Sequence, residues 1–361
     1  MTKRVYNFYA GPATLPLSAL KKAQKELLDF KGTGMSLMEI SHRSKEYAEV
    51  HTGASDLVRE LMKIPDDYKI LWLQGGASTQ FYMIPLNLQQ EGKPMEYVNT
   101  GAWSKKAIKE GGFFGDVKVV ASSEDKNFSY IPKNIQFGDN AAFAHITANN
   151  TIYGTEFHEW PKVPAEVPLA CDMSSNIMDK VVDPKHFGVI YAGAQKNIGP
   201  AGVTLVIVRE DFLERVPENI ATMQKWKTHA AKDSLFNTGP CWAIYMCKLS
   251  LEYLKDIGGV PAIEKINREK AKLIYDLIDK SDGFYKGHAE PDSRSLMNIT
   301  FNLSTPELEE KCVKEATQND LIGLKGHRSV GGMRASIYNA MSREGVQSLV
   351  DFLNKFKENN Q

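Results

Sequence analysis

The sequence predicts an α/β fold: a large domain whose mostly parallel sheet is covered by helices, joined to a smaller α+β C-terminal domain. Three observations predict it. Short β-branched apolar runs bounded by Gly and Pro alternate with helical periodicity up to about Arg209, which is the pattern of parallel strands joined by crossover helices. Gly258-Gly259 then break the chain, and a long amphipathic helix is expected over 260–281. Beyond it the order changes to strand, helix, strand, helix. The expected division is 16–258 for the large domain, with 1–15 and 259–361 forming the small one.

Taken in order, Asn7-Phe-Tyr-Ala-Gly-Pro12 is a turn-rich lead-in, because Gly-Pro continues neither a helix nor a central strand. A helix is expected over 17–30. Ser44 then reads as the N-cap of a helix with apolar positions Tyr47, Val50, Ala54, Leu57, Val58 and Leu61. His42 and Arg43 therefore precede a helix start, where an anion also meets free backbone N–H groups. A strand at 69–74 runs into Gly75-Gly-Ala-Ser-Thr79 and a helix beginning near Gln80. Such a turn can cradle a phosphate, since glycine lets the backbone approach and unpaired N–H groups face the anion. It matches neither GxxxxGK[ST] nor GxGxxG, and a Gly-Gly turn by itself is more often only a turn.

Strands are expected at 95–99, 117–121 and 141–146, with a helix at 104–110. Trp103 lies at a strand-to-helix turn, where its face either stacks on a flat heterocycle or fills the core. The segment 147–154, with Thr151, supplies hydroxyl and amide groups after another strand. Pro168-Leu-Ala-Cys-Asp172 is an apolar run ending in an acid. The run 188–193 leads into Gln195-Lys196-Asn197, and a strand at 203–208 follows Gly199-Pro-Ala-Gly202. Asn237-Thr-Gly-Pro240 is expected to cap a helix reaching about Asp256. Strands at 296–301 and 333–337 and helices at 306–318 and 343–356 complete the chain.

In open α/β sheets functional groups gather at the carboxyl ends of strands, where Asp172 and Lys196 both fall. A lysine among small and apolar neighbours is poorly solvated, so a neutral, nucleophilic amine becomes accessible near neutral pH. Such an amine can hold an aldehyde. A carboxylate at a neighbouring strand end is what a pyridine nitrogen needs to stay protonated. Read alone, the pair also fits a solvated loop lysine and a helix-capping acid.

Composition narrows the classes. The 361 residues are 42% hydrophobic and 24% charged, ordinary for a globular chain with a substantial core. Lys plus Arg and Asp plus Glu both count 44, which argues against a broadly basic nucleic-acid surface. No apolar run has membrane-spanning length, and MTKRVYNFYAGP has no signal-like apolar core. The four cysteines form no CxxC pair or His-Cys cluster, so no metal site is expected and a reduced, cytoplasmic setting is.

With these pieces placed, the chain resembles the phosphoserine aminotransferase family, in the class V group of fold-type I pyridoxal-phosphate enzymes. The resemblance runs end to end. It rests on Asn7–Pro12, Ser41-His-Arg-Ser44, Gly75-Gly76 with Gln80-Phe81, Asn99-Thr-Gly-Ala-Trp103, Cys171-Asp-Met-Ser-Ser175, Gly193-Ala-Gln-Lys-Asn-Ile-Gly-Pro200, Asn237–Pro240, Gly326-His-Arg328 and Gly331-Gly-Met-Arg-Ala-Ser336. It implies transamination between L-glutamate and 3-phosphohydroxypyruvate, giving O-phospho-L-serine and 2-oxoglutarate. In some relatives a phosphohydroxythreonine step of vitamin B6 synthesis is added.

Carried over by position, the resemblance implies that Lys196 bonds the cofactor's aldehyde carbon and that Asp172 pairs with its ring nitrogen. Trp103 would stack on the ring and Thr151 would approach its phenolic oxygen. Ala77, Ser78 and Gln195 would meet the phosphate, joined by Asn237 and Thr238 of a second copy in a homodimer. Arg334 would take the substrate α-carboxylate, and His42, Arg43, His327 and Arg328 its second anion. Other class V enzymes, such as alanine–glyoxylate aminotransferases, and a non-covalent phosphate-binding α/β protein are the alternatives.

Overall fold

The computed structural model describes residues 4–328 and 330–360. Its centre is a seven-stranded sheet: β1 (Tyr68–Leu73), β2 (Met95–Asn99), β3 (Val117–Ser122), β4 (Phe143–Thr147), β5 (Leu169–Asp172), β6 (Val189–Gly193) and β7 (Thr204–Arg209). The order across the sheet is β1-β7-β6-β5-β4-β2-β3. The chain is parallel at every pairing except those of β7, which runs antiparallel to both β1 and β6. The sheet is thus mostly parallel, as expected. The exception has a simple cause: β6 returns directly to its neighbour through the loop 194–203, and an antiparallel return needs no crossover helix. That loop carries Lys196 at the carboxyl end of β6.

The strands β4, β5 and β6 are buried along their whole length, which is why their sequences are continuous apolar runs rather than alternating ones. One sheet face packs Trp72, Ile146, Cys171, Ile190 and Leu205 against helices. The opposite face packs Leu71, Tyr97, Phe143, Tyr191 and Val206 with Phe81 and Trp226.

The large helices are α1 (Leu17–Lys25), α2 (Lys45–Met62), α3 (Gly76–Leu88), α4 (Ala102–Gly111), α5 (Cys241–Asp256), α6 (Gly259–Asp279), α7 (Pro306–Gln318) and α8 (Arg343–Asn360). Ser44 caps α2 as expected, its hydroxyl accepting from the Tyr47 N–H at 3.2 Å. Three expectations need correction. Helix α1 ends at Lys25 instead of running to Phe30, whose buried ring anchors a series of turns. Helix α3 begins at Gly76 rather than near Gln80, because Gly75 and Gly76 take φ values of 89° and 67° and complete the turn in two residues. The segment 237–240 does not cap α5 through a side chain: the cap position is Pro240, which makes no such bond.

A second sheet, β8 (Lys286–Gly287), β9 (Asn298–Asn302) and β10 (Met333–Ser336), is antiparallel. It packs with α6, α7 and α8 around a separate core that includes Ile274, Ile299, Phe301, Ala335, Leu349 and Leu353. Phe8 inserts into that core, and Tyr6–Asn7 pairs in parallel with Leu321–Ile322.

A buried charged group sits between the two cores. The Lys180 ammonium donates to Glu156 and, at 2.7 Å, to the Phe157 carbonyl, while the other Glu156 oxygen accepts from the Leu296 N–H at 2.8 Å. Both side chains are almost wholly buried. Lys180→Met is therefore expected to cost about 3–5 kcal/mol, because it leaves a buried carboxylate without its partner. Chemical denaturation measures this, and an unchanged midpoint would reject it.

Candidate active site

Asp172 is the last residue of β5, and its Oδ1 accepts from the Ser174 N–H at 2.9 Å. Burial raises its carboxyl above the usual range, against the opposing pull of the Lys196 charge and of donors from Ser174 and Tyr191. Lys196 Nζ donates to Thr151 Oγ1 at 2.7 Å and stands 5.4 Å from the centre of the Trp103 ring. Burial lowers the Lys196 ammonium to about 8; the Asp172 charge opposes this and Arg334 adds to it. Lys196 as a whole keeps intermediate exposure, although protein atoms crowd its amine closely enough to lower its basicity. Gly11 and Ala13 pack on this loop, with the Ala13 N–H donating to the Gln195 carbonyl at 2.9 Å.

Arg334 projects from β10 toward the same place. One Nη reaches the Thr151 carbonyl only at 3.5 Å, and its buried Nε has no hydrogen-bond partner among the described residues. The buried Trp103 Nε1 is likewise unpartnered. A fork of unsatisfied donors beside a crowded amine is a site for an anion, because a buried donor left unmade is costly. The His327 ring loses basicity first through burial and then through repulsion by Arg334, Arg328 and Lys106, so these cations crowd one region. Lys106 Nζ lies 4.3 Å from the centre of the Trp103 ring.

Two of the residues expected to meet a phosphate fall inside the helix start rather than in a turn before it. Ala77 and Ser78 lie in the first turn of α3, whose cap is Gly75 with no side-chain bond, leaving backbone N–H groups for an anion. A Cβ at Gly75 would meet Thr79 Oγ1 at 1.8 Å, so only glycine fits. A cavity of about 240 Å³ lies here, lined in part by Gln74, Gly75, Thr79 and Asn237. A larger one, about 570 Å³, sits between 131–135, 156–162 and 292–293 and contains none of the expected site residues.

The remaining candidates form a second cluster. His42 Nδ1 lies 3.1 Å from Thr238 Oγ1, Arg43 Nε donates to His42 Nε2 at 3.2 Å, and Asn237 donates to Gln74 Oε1 at 3.3 Å. No hydrogen bond or ion pair among the described residues joins His42 or Arg43 to Lys196, Thr151 or Arg334. The structure thus links Lys196, Asp172, Thr151, Trp103, Arg334 and His327 through one set of contacts, and His42, Arg43, Asn237 and Thr238 through another that reaches Gln74 at the start of the α3 turn.

Sequence reasoning missed Lys106, Tyr191, His145 and the covering role of Gly11–Ala13. Only Lys106 carries a local signal, standing three residues after Trp103 on one helix.

A crowded amine near neutrality, a buried acid at the next strand end, a flat indole face and a free helix N-terminus fit a planar, phosphate-bearing aldehyde with a ring nitrogen, which describes pyridoxal phosphate. The family model for class-V aminotransferases matches residues 5–349. The chain is similar to a phosphoserine aminotransferase of Desulfosudis oleivorans, 55% identical over all of both chains. It is also similar to the solved structure of the phosphoserine aminotransferase from Bacillus circulans subsp. alkalophilus, with 50% identity, 99% of each chain covered and a TM-score of 0.97. A further solved phosphoserine aminotransferase, studied for radiation damage of its Schiff base, matches at 52% identity over 99% of this chain and all of that one, with a TM-score of 0.96. The chain belongs to the class-V aminotransferases, in their phosphoserine aminotransferase branch.

Proposed function

We propose that the protein moves the amino group of L-glutamate to 3-phosphohydroxypyruvate, giving O-phospho-L-serine and 2-oxoglutarate, with pyridoxal phosphate held at Lys196. One observation carries this: the Lys196 amine, lowered toward neutrality, faces Thr151 and Trp103 while the unsatisfied Arg334 fork closes on the same point. When bound, the cofactor supplies an electron sink that lets the substrate's α-hydrogen leave as a proton.

The chain's residues do the rest. Lys196 Nζ would hold the cofactor's aldehyde carbon, and its free amine would serve as the general acid–base that takes the substrate's α-proton and returns it. Asp172 holds the proton of the ring nitrogen. Trp103 supports the ring face, and Thr151 donates to its phenolic oxygen. Ala77, Ser78 and Gln195 take the phosphate. Arg334 binds the α-carboxylate common to both substrate pairs. His327 and Arg328 meet the second anion, with His42 and Arg43.

We assign His42, Arg43, Asn237 and Thr238 to the site of a second copy, in a homodimer with composite sites. The support is that no hydrogen bond or ion pair among the described residues joins His42 or Arg43 to Lys196, Thr151 or Arg334, together with exposed apolar side chains on the segment leading to His42: Leu28, Met35 and Met38 are 84, 46 and 59% exposed. The two buried cores support a division near 16–258, with 1–15 and 259–361 as the second domain. The four unpaired cysteines, three of them buried, support a cytoplasmic setting. Among the described residues no helix is long and apolar enough to cross a membrane.

A cysteine desulfurase, another class V enzyme, would need an accessible thiolate, whereas Cys312 is buried in α7 with its thiol pushed up to about 12, and Cys171 is buried in β5 with its thiol also well raised by burial. A near-visible spectrum followed by a panel of amino donors and keto acceptors, phosphohydroxythreonine included, tests the proposal. No band, or equal efficiency with acceptors lacking a second anion, overturns it.

The amine also predicts a pH profile. Its nucleophilic form is the neutral one, so reconstitution of apoprotein with the cofactor should accelerate about tenfold per pH unit below 8 and level off above it. A rate flat across that range would show that another group controls the step.

A further inference from the structure

On the two strands that flank Asp172, the mechanism leaves two buried polar side chains unused. Tyr191 sits on β6 directly beside Asp172 in the parallel register, and its hydroxyl is near enough to the Asp172 carboxyl to hold that carboxyl's pKa down against burial. His145 lies on β4, the other neighbour of β5, and its Nε2 is 2.9 Å from the Tyr191 hydroxyl oxygen. Asp172 is 5% exposed, Tyr191 0% and His145 1%.

We propose that Tyr191 and His145 are positioning residues for Asp172: the His145 Nε2–H donates to the Tyr191 hydroxyl, which donates to the carboxylate and holds it charged and aimed at the ring nitrogen. The claim rests on the assignment of Asp172 to that nitrogen made above.

The direction of each bond follows from counting protons. Burial lowers the His145 ring to about 3, so it is neutral and carries one proton. Tyr191 has a single proton, committed to the carboxyl, so its oxygen needs a donor and the histidine proton belongs on Nε2. That leaves Nδ1 as a bare lone pair, and Nδ1 is the histidine atom with no partner among the described residues. An unused acceptor is tolerated more readily in a protein interior than an unused N–H.

The surroundings exclude water from this chain of bonds. The Tyr97 ring lies 5.2 Å from that of His145, and Phe81 meets Tyr191 edge-on at 6.4 Å. Both belong to the apolar cluster that α3 and α4 press onto the sheet. In such a dry place a donor to a carboxylate counts for more than in water. It offsets the burial that otherwise drives Asp172 to take up a proton and lose its hold on the ring. The Ser174 N–H also donates to Asp172 Oδ1, at 2.9 Å, so a second donor helps fix the carboxyl's orientation.

The test uses holoenzyme of Tyr191→Phe, His145→Leu and His145→Gln, the last keeping an N–H for Tyr191. Tyr191→Phe should bind the cofactor and keep its lysine-linked absorbance. Its kcat should fall about tenfold, the size expected for one lost bond to a charge, with KM for glutamate nearly unchanged. The pH midpoint of the absorbance should rise, because a ring nitrogen held less firmly protonated withdraws less charge from the lysine-linked nitrogen. His145→Leu should reproduce both changes more weakly, and His145→Gln should reverse them.

A Tyr191→Phe protein with the parental kcat and midpoint overturns the proposal. So does one that loses the absorbance altogether, or a His145→Gln protein that behaves like His145→Leu. These failures are distinct from failure of the site itself, which would show as borohydride labelling that persists in Lys196→Ala.

Discussion

Lys196→Ala is expected to abolish turnover and to remove the near-visible absorbance that borohydride reduction fixes. The general acid–base share alone is worth about 10²–10⁴-fold, and the same substitution removes the covalent anchor. Perturbation by itself would not select this residue. Lys270 is pushed lower still, to about 7, by complete burial in α6. Its ammonium, however, donates to the carbonyls of Ile337, Tyr338 and Met341 at 2.9, 2.9 and 3.0 Å, which fills its three N–H bonds. Lys180 is tied in the same way to Glu156 and Phe157. Lys106 stands over the Trp103 ring, but on the exposed surface of α4. Among the described residues, only Lys196 combines a depressed amine with a hydroxyl partner and a nearby acid. Borohydride reduction and peptide mapping of the variant check this, and labelling as strong as in the parent would refute the assignment.

What the sequence revealed follows from the range of the interactions involved. The strands around Asp172 and Lys196 were legible because a strand buried on both faces writes a continuous apolar run. Ser44 was legible because a cap bond spans three residues. The start of α3 was misplaced because nothing local in Gly-Gly-Ala-Ser-Thr says how many residues the turn consumes; that depends on where β1 delivers the chain. Asn237 and Thr238 were read as a cap because polar residues before a helix usually are one. Here Gln74 and His42, far away in sequence, take their bonds instead. Tyr191 and His145 were invisible for the same reason: they meet through strand order, not through spacing. His42 and Arg43 stand out in the sequence as candidates, yet no hydrogen bond or ion pair among the described residues ties them to Lys196.

Arg334→Ala is expected to lower kcat/KM for both substrate pairs by about 10²–10³-fold, or roughly 3–4 kcal/mol, since each α-carboxylate then enters a desolvated site without its partner. In the free protein the guanidinium is poorly satisfied: Nε has no partner among the described residues, the contact to the Thr151 carbonyl is long, and burial lowers its pKa. Removing an under-satisfied buried cation should therefore leave stability unchanged or slightly increased, so the activity loss cannot be put down to unfolding. The two measurements separate roles that a single one would blur. A residue that braces the fold loses both, whereas a fork held open for substrate loses activity alone. Arg334→Lys should recover only part of the loss, because an ammonium supplies a charge without the bidentate geometry. Near-normal kcat/KM for either pair would mean that the two substrates do not share this fork, and the carboxylate site would then have to be sought among His327, Arg328 and Lys106.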